Sequence, residues 1–348
     1  MILPGSHTAA LLLLVLGMLG WGLWANLFKA AGGKWRFELF SFDFAAGVFI
    51  AALIVALTFG SLGFDGFSFR DDLQLAGKRQ DLFALGAGVI FNLGNMLLLA
   101  GVSMVGMTLA FPAGLGCALV VAALWDFVLY PGGNIAIQSV GMMAIVLAIV
   151  FAVLAFRTMS DLRFRAQGES ASGKPRRRKS SGKALALSLF GGVLLGSFMP
   201  LVRLASASEI GLGPYSLGFI FAVGIAFSTI VFNLFFMNLP VQGKPIEVTD
   251  YFRPKLSRHG LGLIGGAVWY AGLVAVLVRG RFEGTAKVAP QISQALEATS
   301  ILIAALCGLL LWKEYDGADF SVKVRLGLMF VLLAAGIGAI SAGVPAAR

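Results

Sequence analysis

Apolar runs of about 20 residues recur along this chain, each long enough to cross a bilayer as a helix. Reading with that ruler gives Thr8–Phe28, Phe42–Leu62, Leu82–Val102, Met107–Val128, Ile135–Phe156, Ala184–Ala205, Tyr215–Met237, Gly260–Val278, Ala286–Leu311 and Val324–Ile340. A backbone in hydrocarbon must satisfy its own hydrogen bonds, so every run is expected to be helical. The 348 residues are 58% hydrophobic and 13% charged, well below the roughly 25% charge of a soluble domain. The expected fold is an all-α polytopic membrane protein with ten transmembrane helices.

One long polar segment interrupts this pattern. Arg157–Lys183 is rich in Arg, Lys, Ser and Gly and cannot bury enough apolar surface to order itself, so it reads as a solvated linker. It divides the chain into a five-helix unit at 1–156, a basic linker at 157–183 and a second five-helix unit at 184–348. The halves share weak internal matches: Gly22 to Lys29 with Gly196 to Arg203, Gly106 to Pro112 with Gly284 to Pro290, and Leu124-Trp125-Asp126 with Leu311-Trp312-Lys313-Glu314. An odd number of spans per half sends the second half through the membrane in the opposite sense, so two inverted repeats are expected.

The side bearing the linker carries roughly nineteen Lys and Arg against roughly eight on the other, which places the linker in the cytoplasm and both termini outside. The setting that follows is the plasma (inner) membrane. The net charge of +10 is explained by a basic linker facing anionic lipid, and nucleic acid is not an expected partner. Cys117 and Cys307 sit within apolar runs as small hydrophobes, and His7 and His259 lie near span ends, so neither metal nor disulfide chemistry is expected. No Lys or Arg precedes Leu11, and the N-terminal run therefore reads as a span rather than a cleaved leader. Lys287 and Arg203, close to span ends where long side chains snorkel, are assigned no function.

Ionisable groups within spans are costly and tend to face cavities. Glu297 lies about seven residues beyond Pro290, and Gln291 and Gln294 precede it at spacings that share one broad helix face. A structural charge pair is the alternative reading of Glu297. Asp43, in the charged and aromatic stretch Lys34 to Phe44, is the second candidate acid. Glu38 there is accounted for by pairing with Lys34. A carboxylate in an apolar span makes Glu297, and after it Asp43, a candidate for proton coupling. Pro112 and Pro290 either free carbonyls toward a cavity or sit in entry turns. Trp24 and Asn26 on the first span, with Trp269 and Tyr270 on the eighth, offer stacking and polar contacts to a solute or pack as ordinary aromatics. Asn92 and Asn95, three apart, either bond between helices or recognise solute. The glycines of the spans read as close-packing positions.

Four stretches carry a family likeness: Gly20-Trp21-Gly22-Leu23-Trp24-Ala25-Asn26, Trp35 to Phe44, Thr58-Phe59-Gly60 and Asn92-Leu93-Gly94-Asn95. With the basic central loop, they make the chain resemble the drug/metabolite transporter superfamily, in the ten-span group of ureide permeases and glucose/ribose and rhamnose porters. The resemblance implies that spans one, three, four, six, eight and nine line a central pathway, with the fifth and tenth peripheral. The loop string Gly168 to Lys174 looks like a phosphate-binding loop, but Pro175 stands where Ser or Thr would hold a metal, and no strand precedes it. No nucleotide, and no other cofactor, is expected. The expected function is secondary transport of a small polar or heterocyclic solute of ureide, nucleobase or sugar class, coupled to protons or another ion, in contact with membrane lipid and with oligomeric state open. Export of drugs or metabolites is the alternative, and a membrane-embedded enzyme would need a catalytic cluster that the sequence lacks.

Overall fold

The computed structural model describes residues 1–33, 35–129, 131–168, 181–207, 210–279, 281 and 287–345. Among these residues twelve α-helices follow in order: α1 (His7–Leu23), α2 (Ala25–Ala31), α3 (Phe37–Leu57), α4 (Phe69–Leu75), α5 (Lys78–Val105), α6 (Met107–Leu129), α7 (Ile135–Gly168), α8 (Ser181–Ser206), α9 (Pro214–Asn238), α10 (Leu256–Arg279), α11 (Pro290–Leu310) and α12 (Phe320–Ala342). No strand occurs among the described residues. Among the described residues ten segments are long and apolar enough to cross a membrane, with α1 and α2 forming one of them and α4 lying outside the set. Ends are fixed locally. The Ser6 hydroxyl accepts from Ala9 N at the start of α1, and Asp319 accepts from Val322 N at the start of α12, satisfying donors that a helix N-terminus leaves open. Gly106 joins α5 to α6 with φ of 86°, a conformation that favours glycine and lets one residue turn the chain.

One finding differs from the sequence reading, and another decides between its alternatives. α7 does not stop near Phe156 but runs to Gly168, so the first part of the segment read as linker is helical. Its extension is docked: Arg163 donates to Glu314 O at 2.8 Å, and Arg325 of α12 bonds the Thr158 hydroxyl. Pro290 is the first residue of α11, an entry-turn position, whereas Pro112 lies buried inside α6. Residues 169–180, which hold most of the phosphate-loop-like string, lie outside the described residues, as do Lys34 and 284–286 of the second glycine-to-proline motif.

The packing pairs of one half recur in the other. α1 packs on α10 and α11 as α8 packs on α5 and α6, α3 on α10 as α9 on α5, and α6 on α7 as α11 on α12. Counterparts also meet directly, as α3 with α9, α6 with α11 and α7 with α12. Glycines set the closest of these contacts. A Cβ on Gly47 or Gly266 would strike the backbone carbonyl of Leu263 or Phe44 between α3 and α10. A Cβ on Gly88 or Gly224 would strike that of Phe221 or Leu85 between α5 and α9. Without a hydrophobic drive between helices in lipid, such backbone proximity supplies the van der Waals contact that holds them.

Candidate functional site

A cavity of about 190 Å³ lies between α1, α5, α6, α8, α10 and α11. These are the first, third, fourth, sixth, eighth and ninth spans, and none of the lining residues comes from α7 or α12. The volume falls below the roughly 300–1,000 Å³ of sites for drug-sized ligands. Its size suits one small metabolite.

Aromatic side chains form its deep wall. Trp269 of α10 stacks on Phe91 of α5 with centroids 4.1 Å apart, and on Trp21 of α1 at 6.3 Å. Phe198 of α8 meets Phe91 edge-on at 5.5 Å. Trp21 Nε1 donates to Trp269 O at 3.2 Å, fixing the pair. Trp24 sits at the break between α1 and α2, against Phe44, and completes the wall. Ring faces held this way suit a planar or sugar-like solute, because stacking requires only a flat apolar surface.

Polar groups are few and placed. Asn95 and Gln294 both line the cavity, and their amides make no hydrogen bond among the described residues. Amides that face a cavity with their hydrogen-bonding groups unspent can bond a ligand or water there. The lining also includes two ion pairs, Arg279 with Glu297 and Arg203 with Asp126. Asp126 and Arg203 each lie three residues before the end of their helices, and Arg279 ends α10. With spans alternating in direction, these ends share the side of the bundle that carries both chain termini.

The other sequence candidates fall elsewhere. Asn92 is buried and bonds across to α9, with its Nδ2 2.8 Å from Ser228 Oγ and 3.0 Å from Thr229 Oγ1. Asn26 accepts from Trp312 Nε1 at 2.8 Å. Gln291 donates to Val344 O at 2.9 Å, near the C-terminus, so it parts from Gln294 and Glu297. Tyr270 is fully buried beside Gly218 with its hydroxyl unpaired among the described residues. None of these four lines the cavity. Asp43 is also apart, at the linker end of α3, where Tyr251 Oη donates to it at 2.5 Å and His259 Nδ1 lies 3.0 Å away. Trp35 covers that cluster, stacked on Tyr251 and edge-on to His259. The Tyr251 hydroxyl, desolvated and bonded to a carboxylate, is pushed above the ordinary range of a phenol.

Sequence reasoning missed Arg279 and left Arg203 without function. Snorkelling explains a lone base at a span end, but Arg203 has an acid, Asp126, at matching depth on another span, and Arg279 reaches from the end of α10 to Glu297, seven residues beyond Pro290. Pairing opposite charges by depth from one membrane face is the signal that finds Arg203.

The family described as "Sugar transport protein" matches residues 12–341. Among curated proteins the chain is similar to Ureide permease 1 of Arabidopsis thaliana, at 21% identity over 95% of this chain and 96% of that protein. It is also similar to a solved crystal structure at 14% identity, with a TM-score of 0.51 over 95% of this chain and 96% of that one, a likeness that concerns the fold.

Proposed function

We propose, for a chain that belongs to the sugar transport protein family, that this membrane transporter moves a small polar solute of ureide, nucleobase or sugar class by alternating access. The observation that carries the reading is the cavity itself. Helices of both halves meet around it, flat aromatic faces form its wall, and the amides of Asn95 and Gln294 are free of protein partners among the described residues. A solute with N–H and carbonyl or hydroxyl groups satisfies those amides while its ring face lies on Trp269 or Phe91. The ureide option rests on the relative's name, the sugar option on the family's. A volume of about 190 Å³ is small for the bulky lipophilic cations of a drug exporter.

Membership of the drug/metabolite transporter superfamily belongs to the same reading, as do two inverted halves, a cytoplasmic linker, outward termini and residence in the plasma (inner) membrane. Transport is driven by an ion gradient or by the solute gradient. Glu297 is the proposed proton-coupling group, since it stands in the cavity beside Gln294, with Asp43 second. Arg279 then competes with the proton for Glu297, and solute binding near the pair links the two equilibria.

A thermal-stability screen of the purified protein against ureides, nucleobases, sugars and lipophilic cations tests the reading, because a ligand at 100 times its Kd stabilises the folded state by about 2.7 kcal/mol. An upward shift with a ureide, nucleobase or sugar supports it. A shift with lipophilic cations alone contradicts it.

A further inference from the structure

Two ion pairs occupy opposite ends of the bundle and correspond under exchange of the halves. Lys29 stands in the last turn of α2 and Arg203 in the last turn of α8, at the end of the matching stretches Gly22 to Lys29 and Gly196 to Arg203. Lys29 pairs with Glu314, just past α11, and Arg203 pairs with Asp126, near the end of α6. Each acid follows a tryptophan whose indole N–H reaches the helix of the partner base. Trp312 donates to Asn26 Oδ1 at 2.8 Å, and Trp125 donates to Ser197 Oγ at 3.1 Å. Thus the first span grips the end of the ninth at the linker side, and the sixth span grips the end of the fourth at the termini side. The ion pair between Glu297 and Arg279 follows no such rule, because on the register that matches Leu124-Trp125 with Leu311-Trp312 Glu297 falls opposite Ala110.

An alternating-access pathway needs a closure at each end, but needs its cargo site only once. From this we propose that Lys29 with Glu314, and Arg203 with Asp126, are the two gates of one pathway, opened in turn. The assignment rests on the transport reading above. The two ends differ in how their pairs are held. Asp126 and Arg203 line the cavity, with side chains 15% and 31% exposed, whereas Glu314 and Lys29 do not line it and are 11% and 20% exposed. Glu314 is also cradled by the first turn of α6, accepting from Met107 N and Thr108 N at 2.8 Å and from Thr108 Oγ1 at 2.7 Å. The close fit extends to the backbone, since a Cβ on Gly106 would fall 2.6 Å from the Glu314 carboxyl carbon. Both pairs are formed in this structure, and the one at the linker end is held by the further bonds from α6.

Loss of one gate should shift the population toward the state open at that end. The test places a reporter at Ala118→Cys, in the cavity wall, in full-length protein carrying Cys117→Ser and Cys307→Ser. Labelling by a membrane-impermeant maleimide is measured in right-side-out and inside-out vesicles. Glu314→Gln should raise labelling from the linker face by about threefold or more and lower it from the termini face. Asp126→Asn should do the reverse. Lys29→Gln reads the same gate as Glu314→Gln with the cradle on α6 intact, and decides the matter if Glu314→Gln fails to reach the membrane. Labelling that changes equally from both faces, or in neither, would overturn the gate assignment. No solute enters the assay, so an error in the solute class leaves this result unaffected, and gates that fail here leave the thermal screen standing.

Discussion

The Glu297 carboxylate of α11 is held by the Arg279 guanidinium at the end of α10, and both side chains line the cavity. Removing one member of such a pair strands the other in a poorly solvated place. A fully buried pair costs about 3–5 kcal/mol to break this way, and with side chains 17% and 27% exposed this one should cost less. Arg279→Gln is expected to lower the unfolding midpoint in detergent, and Arg279→Gln combined with Glu297→Gln to recover most of the loss. A double variant as unstable as the sum of the singles would show that the two residues act separately.

Glu297→Gln alone separates binding from coupling. The amide keeps the shape and hydrogen-bonding capacity but cannot take up a proton. Liposomes bearing the variant should still exchange labelled solute, while accumulation driven by a pH gradient is lost. Accumulation equal to that of the parent would move the proton role to Asp43.

Asn92 and Asn95 give a paired prediction from one helix. Asn92 spans to Ser228 and Thr229, and each lost interhelical bond in a membrane protein is worth about 0.6–2 kcal/mol. Asn92→Ala should therefore lower the melting temperature and leave solute affinity nearly unchanged. Asn95→Ala should leave stability nearly unchanged and weaken solute binding by about tenfold, the loss of one hydrogen bond in a desolvated site. Titration of both variants against the stabilising solute checks this, and the opposite pattern would exchange their roles.

That pair also shows where sequence reading stops. Residues three apart on a helix share a face, yet about 60° of rotation separates them, enough to aim one amide at α9 and the other into the cavity. Gln291 and Gln294 differ in the same way, because Gln291 sits in the first turn, within reach of Val344 O. The ten spans were legible because bilayer thickness fixes their length. The helical stretch of α7 beyond Arg157 was not, because its support comes from Glu314 O and α12, far away in sequence. Arg279 and Arg203 were hidden for a like reason: what distinguishes a paired base from a snorkelling one is its partner on another helix.

Orientation is tested by labelling intact cells. In a chain with Cys117→Ser and Cys307→Ser, an impermeant thiol reagent should modify Ser6→Cys and spare Ser172→Cys, as the lysine and arginine bias requires. Modification of Ser172→Cys alone would invert the topology.

The central claim is that the cavity carries a solute across the membrane. The most direct measurement is counterflow in liposomes containing only the purified protein, loaded with the solute that gives the largest thermal shift and diluted into a trace of its labelled form. The account predicts a transient internal accumulation of label, abolished by Trp269→Ala combined with Asn95→Ala. Stabilisation by the solute with no movement of label would contradict it.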